Sequence, residues 1–213
     1  LLASSAASDV YKRQALAVYG CVLGYDLIAD EMKDKELSEL VKRIGLVEGM
    51  PVVTNPGIID PEKFADEVIN VRIPNPFMPD TPQRIATDTS QKVGIRYGET
   101  IKSYVAKDGS ARALTAIPLA IAGWCRYLLG IDDNGEAFEL SPDPMADELK
   151  CQLDGIVWGE SSSYTGQLKN LLSNANIFGI NLYEAGIGDK IEEMFVEEIS
   201  GKGAIRETLK KYL

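Results

Sequence analysis

The amino-acid sequence predicts a mainly α-helical, multi-helix protein. Apolar residues recur at three- and four-residue steps along most of its 213 residues, which is the spacing of one helix face. Alternation of apolar and polar residues, the pattern of a half-buried strand, is confined to short runs such as residues 51–54 and 155–158. We therefore expect helices packed on helices around a hydrophobic core.

Two helices are predicted in the first fifty residues. Apolar side chains such as Leu16 and Leu23 fall on one face of a helix over residues 15–32, which predicts an amphipathic helix there. Apolar residues recur again over residues 37–44, and Gly45 is a suitable C-terminal stop for that helix.

The next segment combines a capped helix with a proline-rich loop. Asp60 is a good N-cap and Pro61 suits the first helical position, which predicts a helix over residues 61–71. Four prolines then fall within residues 72–82. Because proline removes a backbone donor and restricts the residue before it, this stretch should be an ordered, extended loop.

The longest apolar segment, residues 111–129, should be the central buried helix, with a kink at Pro118.

The acidic residues Glu192, Glu193, Glu197 and Glu198 should form the solvated edges of a helix rather than a metal site. Beyond residue 82, the predicted helices cover residues 83–92, 99–107, 111–129, 143–153, 167–172, 190–199 and 204–213.

Charge and cysteine usage exclude several classes of protein. The chain has 22 Lys and Arg against 32 Asp and Glu, a net charge of -10, which opposes general attraction to nucleic acid or anionic lipid. Its apolar runs are too short to span a membrane. Three widely spaced cysteines form no zinc or disulfide pattern and fit a reducing, cytoplasmic location.

The absence of histidine excludes much of hydrolase chemistry from this chain. Ser-His-Asp and Cys-His nucleophile activation and zinc sites of the H-E-x-x-H type all require it. No glycine-rich phosphate-binding motif is present either, so no nucleotide site is predicted within the chain.

The first fourteen residues differ from the rest of the chain. They lack an initiator Met, and the string SSAASDVYKRQ looks like a translated sequencing adapter. A secretory signal would place its basic residues before an apolar run, whereas Lys12 and Arg13 follow small residues. We predict that residues 1–14 are a non-native leader and that residues 15–213 form the helical domain. The alternative is a disordered native leader.

A local group of cations lies between residues 72 and 102 of this acidic chain. Arg84, Asp88 and Lys92 are spaced by four residues, so one continuous helix would align them as a ladder of exposed ion pairs. The alternative is a ligand site, in which Arg84 and Lys92 hold the hydroxyls or carboxylate of a small polar substrate below the proline-rich loop.

The same residues resemble the signature of the polyol-specific long-chain dehydrogenases, a family that includes mannitol dehydrogenase and fructuronate reductase. Its pattern is R-x-x-N-P-x-x-x-D-x-x-x-R with a Lys eight residues later, matched here by Arg72, Asn75, Pro76, Asp80, Arg84 and Lys92. Residues 15–34 also resemble the first helix of the family's C-terminal domain, and the likeness is strongest over residues 15–105.

The resemblance implies the substrate-binding C-terminal domain of an oxidoreductase that interconverts a polyol or sugar acid with a ketose. It implies that Arg84 and Lys92 bind this substrate and that Asn75 and Asp80 belong to the loop that shapes the site. NAD or NADP would be bound by an N-terminal Rossmann domain that is missing here, and this chain alone would bind neither.

The catalytic motif of the family, K-x-x-x-x-N-x-x-H, would fall at Ser5, Val10 and Arg13, none of which matches. The resemblance therefore implies that the chain has no catalytic residue and is inactive alone. Two other functions remain open. They are a fragment of a mannitol-1-phosphate dehydrogenase, which would use the cations to hold phosphate, and a non-enzymatic helical interaction module.

Overall fold

The computed structural model describes residues 3–53, 57 and 60–213, with side chains described from Lys12 onward. Among these residues the backbone is helical and forms no sheet, with isolated β-bridges at Ile131–Ala137 and Val157–Glu160. The prediction of a mainly α fold is confirmed, whereas residues 155–158 are not a strand. Thr54 lies outside the described residues.

The α-helices are α1 (Ala3–Leu23), α2 (Ile28–Glu31), α3 (Lys35–Lys42), α4 (Pro61–Glu67), α5 (Pro82–Ala86), α6 (Thr89–Val93), α7 (Glu99–Asp108), α8 (Ala116–Tyr127), α9 (Ala146–Gln152), α10 (Lys169–Leu172), α11 (Ala175–Phe178), α12 (Gly188–Glu198) and α13 (Ala204–Tyr212). Turns of π-helix extend α3, α4 and α6 over Arg43–Gly49, Val68–Arg72 and Gly94–Gly98. Short 3-10 turns cover Met50–Val52 and Ser161–Ser163.

Helix α8 lies at the centre of the core. Every residue from Ala116 to Tyr127 is buried, and α1 and α12 pack against it. Tyr19 of α1 lies against Gly123, where an added Cβ would come within 2.4 Å of the tyrosine ring. The close approach of α1 and α8 therefore depends on a residue without a side chain at position 123.

The buried carboxylate of Glu48 accepts hydrogen bonds at the N-terminus of α8. Its donors are the backbone N–H groups of Thr115 at 2.6 Å, Ala116 at 2.7 Å and Ile117 at 2.8 Å. Pro118 is the next residue and has no N–H, so the unpaired donors of this helix end are all accounted for. Pro118 lies in the first turn, where it removes no helical hydrogen bond. It therefore gives no reason for the kink that the sequence predicted at this residue.

Two predicted helices have different bounds in the structure. The predicted helix over residues 15–32 ends at Leu23, because Gly24 takes a left-handed conformation with φ 78°. The chain then enters the separate helix α2. The predicted stop at Gly45 is also wrong, because a π-helical turn continues to Gly49.

One of the four acids expected to be solvated is in the core. Glu198 is fully buried on α12, and the hydroxyl of Tyr19 lies 2.5 Å from its Oε1 atom. Burial raises the pKa of Glu198 to about 8. The prediction that all four carboxylates are solvated is therefore wrong at position 198, because α12 packs against α8 and Tyr19 of α1 contacts the Glu198 side chain.

Gly98 lets the π-helical turn after α6 approach α11. A Cβ on Gly98 would lie 1.8 Å from the backbone carbonyl oxygen of Phe178. We expect Gly98→Ala to lower the free energy of unfolding by about 2 kcal/mol, because the two backbones must separate. Urea unfolding measures this change. Ile95→Ala is the control on the same turn, since Ile95 is 70% exposed; equal effects of the two substitutions would contradict the prediction.

None of the helices in the described part of the chain has the length and apolar character needed to cross a membrane.

Candidate functional site

The predicted helix over residues 83–92 is two helices, α5 and α6, with a sharp turn between them. Asp88 adopts a left-handed conformation with φ 53°, and its N–H donates to the carbonyl of Pro142 at 2.9 Å. Ser90 donates through its backbone N–H to Asp143 at 2.8 Å. These contacts hold the break in place, so Arg84, Asp88 and Lys92 do not align on one helix, and the ion-pair ladder is not formed.

Arg84 pairs with Asp80 instead. Asp80 is buried at the end of the proline-rich loop, and Arg84 donates to its Oδ1 atom, whereas Arg13 of α1 donates to its Oδ2 atom at 2.6 Å. The backbone carbonyl of Asp80 also accepts from Ile28 at 2.9 Å. Asp80 therefore joins the loop, α1 and Arg84, while 70% of the Arg84 side chain stays exposed.

Lys92 turns back across the break between the two helices. Its Nζ atom donates to the carbonyl oxygen of Thr87 at 2.5 Å, which satisfies an acceptor at the end of α5. Burial lowers the pKa of Lys92, and the nearby charge of Arg96 lowers it further. Lys92 is thus a partly buried cation whose neighbours include another cation.

Arg96 lies on the π-helical turn after α6 and contacts the same part of α1. Its guanidinium donates to the side-chain oxygen of Gln14, whose amide nitrogen donates to Thr89 at 2.5 Å. Burial lowers the pKa of Arg96 to about 10. Arg96 belongs to the cationic segment of the sequence but was not among the predicted site residues. It follows Lys92 by four residues, and this spacing would have predicted it on the same side of a helix.

These contacts bring the cations to one region of the molecule. Arg13 and Gln14 are consecutive residues of α1. Asp80 pairs with both Arg13 and Arg84. Gln14 contacts Arg96 directly. The charge of Arg96 lowers the pKa of Lys92. The structure thus gathers Arg84 and Arg96 around one turn of α1, with Lys92 within reach of the Arg96 charge.

Asn75 lies in the loop and stabilises the loop itself. Its side-chain oxygen accepts from the N–H of Phe77 at 3.0 Å, and its carbonyl accepts from Met78 at 3.1 Å. Arg72, the first residue of the signature, pairs with Glu67 at 3.1 Å. Both residues shape the loop that carries Asp80.

A hollow of about 490 Å³ borders this segment at Ser90, Gln91 and Ile95. Neither Arg84 nor Lys92 lines it. A substrate held by those two side chains would therefore lie outside this hollow.

The positions that correspond to the family's catalytic motif all lie on α1. The side chains of Ser5 and Val10 fall outside the described ones, as do Leu1 and Leu2 of the predicted leader. Arg13, at the histidine position of the motif, is directed to Asp80. Within the described residues, no group of His, Cys, Asp and Glu is arranged to hold a metal ion.

The sequence matches the family model of the mannitol dehydrogenase C-terminal domain over residues 13–199. The chain belongs to this family. The match covers the signature loop, the broken helix that follows it and the core helices α8 and α12.

Curated relatives agree with this assignment. The chain is 55% identical to a D-mannonate oxidoreductase of Thermotoga maritima over 198 residues, which is 92% of this chain and 36% of that protein. It is 31% identical to a D-mannonate oxidoreductase of Escherichia coli, over 63% of this chain and 27% of that protein. The chain thus spans about a quarter to a third of the length of these relatives.

The fold also matches a solved structure. It resembles the Pseudomonas fluorescens mannitol 2-dehydrogenase in its ternary complex with NAD and D-mannitol, with a TM-score of 0.80 and 21% identity. The match covers 94% of this chain and 38% of the other. The prediction of an all-helical C-terminal domain of this family is confirmed.

Proposed function

We propose that this chain is the substrate-binding part of an NAD(P)-dependent oxidoreductase that interconverts a polyol or sugar acid with the corresponding ketose. The observation that carries the proposal is the exposed guanidinium of Arg84, which the buried Asp80 of the signature loop holds beside the helix break that Lys92 crosses. The names of the relatives support it, since the proteins matched over most of this chain are oxidoreductases of mannonate and mannitol.

The exposed guanidinium of Arg84 is suited to hold substrate oxygens. Asp80 fixes one edge of this guanidinium through its Oδ1 atom, and the planar fork leaves other N–H groups free to donate. Lys92 supplies a compact charge from the other side of the helix break. Together they would orient the substrate, which is the contribution to the reaction that this chain makes in the proposal.

The cofactor is proposed to be NAD or NADP, bound outside this chain. The described residues form no strand followed by a glycine-rich loop and a helix, which is the arrangement that binds the pyrophosphate of a dinucleotide. The residues present therefore do not fit the cofactor. The missing partner would be a Rossmann domain preceding this one, and the whole protein would be cytoplasmic.

The general base is also proposed to lie outside this chain. Oxidation of a hydroxyl needs a group that takes up its proton, and no histidine is present. Burial lowers the pKa of Lys92, but its Nζ atom is engaged with the Thr87 carbonyl. We therefore assign Lys92 to binding rather than to proton transfer, and propose that the chain is inactive alone.

The alternative of a non-enzymatic interaction module depends on the ion-pair ladder, which the helix break prevents. A mannitol-1-phosphate dehydrogenase would use the same cations. It is distinguished from the proposed function by which of the substrates the enzyme oxidises.

A fused enzyme tests the proposal. Residues 15–213 would replace the matching segment of the Thermotoga maritima D-mannonate oxidoreductase, and hydride transfer would be followed by NADH absorbance with D-mannonate and with D-mannitol. We expect Arg84→Ala and Lys92→Ala each to lower kcat/KM by about tenfold or more, because each removes a hydrogen bond to a charged group. Melting temperatures should stay close to that of the unsubstituted fusion.

Arg112→Ala and Lys107→Ala are the matched controls, since both residues are exposed and lie outside the gathered cations. Unchanged kinetics in Arg84→Ala and Lys92→Ala would remove both residues from the site. A folded fusion that oxidises neither substrate would contradict the proposed function.

A further inference from the structure

We propose that Glu31 is a positioning residue that holds the candidate site in place only while its carboxyl is protonated. In that state α2 stays packed against α1 and bonded to the end of the proline-rich loop, and α2 moves away when the carboxyl ionises. The consequence for substrate binding rests on the proposed function, whereas the movement of α2 does not.

The Glu31 side chain is enclosed where three helices meet. It lies on α2 and is fully buried. A Cβ added to Gly20 of α1 would overlap the Oε1 atom of Glu31 and lie 2.8 Å from the Cγ atom of Pro82, the first residue of α5. The carboxyl of Glu31 and the ring of Pro82 therefore meet at one point on α1, and glycine at position 20 leaves the space for them.

The enclosed carboxyl has no hydrogen-bond partner within the described part of the chain. Both its Oε1 and its Oε2 atoms are buried and unpaired. The buried Glu48 differs, since its carboxylate accepts from three backbone N–H groups. A buried carboxylate without donors is costly, so the enclosure favours the protonated form. Burial accordingly raises the pKa of Glu31 well above its ordinary value of 4.5, and the charge of Asp34 raises it further.

The titratable groups around Glu31 give its negative charge no compensation. The neighbour on α1 is Cys21, a buried thiol whose pKa rises to about 12 through burial and the charge of Glu31. The other groups on the surrounding elements have partners of their own, which are Asp30 with Lys33, Asp34 with Tyr25 and Arg206, Arg13 and Arg84 with Asp80, and Tyr127 with Ser141. Among the described residues, no cation pairs with Glu31.

Helix α2 is the element that can move to expose the carboxyl. It has four residues, Ile28–Glu31, which is too short to be stable without its packing. The N–H of Ile28 donates to the carbonyl of Asp80 at 2.9 Å, and this bond joins the start of α2 to the end of the proline-rich loop. An outward movement of α2 therefore brings Glu31 to water and breaks the bond to Asp80.

This movement becomes easier as the pH rises. When α2 has moved away, Glu31 is exposed and ionises near its ordinary pKa of 4.5, whereas in the packed form it stays protonated to higher pH. The open form binds fewer protons, so the equilibrium shifts toward it by up to about tenfold per pH unit between the two pKa values. Asp80 then loses a contact that holds it, and its hold on Arg84 weakens.

Amide hydrogen exchange in the full 213-residue chain tests the movement. The N–H of Ile28 reports on α2, and the N–H of Leu128, which donates to the carbonyl of Trp124 in α8, reports on global unfolding. We expect the protection factor of Ile28 to fall by about 30-fold or more between pH 5.5 and 8.5 in the unsubstituted chain. In Glu31→Gln it should change by less than about threefold, because glutamine does not ionise.

Asp30→Asn is the matched control, because it removes the neighbouring carboxylate of the same helix, whose side chain is 44% exposed. It should keep the pH dependence of the unsubstituted chain. Glu31→Met fills the space without a titratable group and should behave like Glu31→Gln, so the comparison survives the loss of either variant.

Constant protection of Ile28 across this pH range in the unsubstituted chain would overturn the inference, and that result needs no variant. Equal pH dependence in the unsubstituted chain and in Glu31→Gln would also overturn it. So would identical protection of Ile28 and Leu128 at every pH, because Ile28 would then exchange only through global unfolding.

The fused enzyme tests the consequence for the site. Between pH 6 and 9, KM for D-mannonate should rise by about threefold or more in the unsubstituted fusion relative to Glu31→Gln, with the ratio of their kcat values unchanged. Identical KM profiles would show that the movement does not reach the site and would overturn its positioning role. A folded fusion that transfers no hydride contradicts the proposed function instead, and the exchange experiment still decides whether Glu31 controls α2.

Discussion

Replacing Glu198 with Gln is expected to flatten the pH dependence of stability. Burial raises the pKa of Glu198 to about 8 from its ordinary value of 4.5. Because the folded-state pKa is above the unfolded one, the folded protein binds more protons than the unfolded chain. The contribution of Glu198 to stability is therefore complete below pH 4.5 and is lost as the pH rises through 8. The loss amounts to about 4–5 kcal/mol at 1.36 kcal/mol per pKa unit.

The hydrogen bonds around Glu198 support a protonated carboxyl. The Tyr19 hydroxyl lies 2.8 Å from the carbonyl of Leu119 and 2.5 Å from Glu198. A hydroxyl has one proton, so both contacts are hydrogen bonds only if Glu198 donates to Tyr19 while Tyr19 donates to Leu119. Glutamine at position 198 can donate to Tyr19 in the same way and does not ionise.

Urea unfolding between pH 4.5 and 8.5 checks this prediction. The unsubstituted chain should lose stability across the range, and Glu198→Gln should lose less. Burial also raises the pKa of Glu31, so some slope of the same sign should remain. Glu193→Gln is the control, because that side chain is 66% exposed. Equal slopes in the unsubstituted chain and in Glu198→Gln would contradict the prediction.

Replacing Glu48 with Ala should lower the free energy of unfolding by about 3 kcal/mol. The substitution leaves the N–H groups of Thr115, Ala116 and Ile117 without their acceptor at the start of the most buried helix. Each lost hydrogen bond to a charged group costs about 1.5–3 kcal/mol, and water entering the space left by the side chain recovers part of it.

Thermal unfolding measures the effect, with an expected fall in Tm of about 10 °C for a chain of this size. The matched control is Asp60→Ala, which removes an exposed cap from two N–H groups of α4 and should cost about 1 kcal/mol. Glu48→Gln should fall between the two, since it keeps one acceptor oxygen. Equal effects at positions 48 and 60 would contradict the prediction.

Much of the fold was predictable because local rules decide it. Asp60 and Pro61 mark the start of α4 through capping and fixed backbone geometry, and the structure begins that helix at Pro61. The apolar spacing over residues 99–107 gave α7, which spans Glu99–Asp108. The four site residues Asn75, Asp80, Arg84 and Lys92 come from a spaced motif, and their roles stay predictions.

The rest depends on contacts between residues far apart in the sequence. The helix break at Asp88 is held by Pro142 and Asp143, which no spacing rule near residue 88 shows. Glu48 lies 67 residues before the first N–H that it accepts from. Glu198 belongs to an acidic run that is typical of a solvated helix, and only its position against Tyr19 places it in the core.

The π-helical turn Gly94–Gly98 sets the register between two halves of one long helical rod. On its N-terminal side the rod presents Lys92, and on its C-terminal side it buries Ile101 and Tyr104. Each residue of an α-helix advances the side-chain direction by about 100°. Deleting a single residue from the turn would rotate one half against the other by that amount. A one-codon deletion at this point would therefore misdirect either the cationic face or the apolar one, although it removes neither.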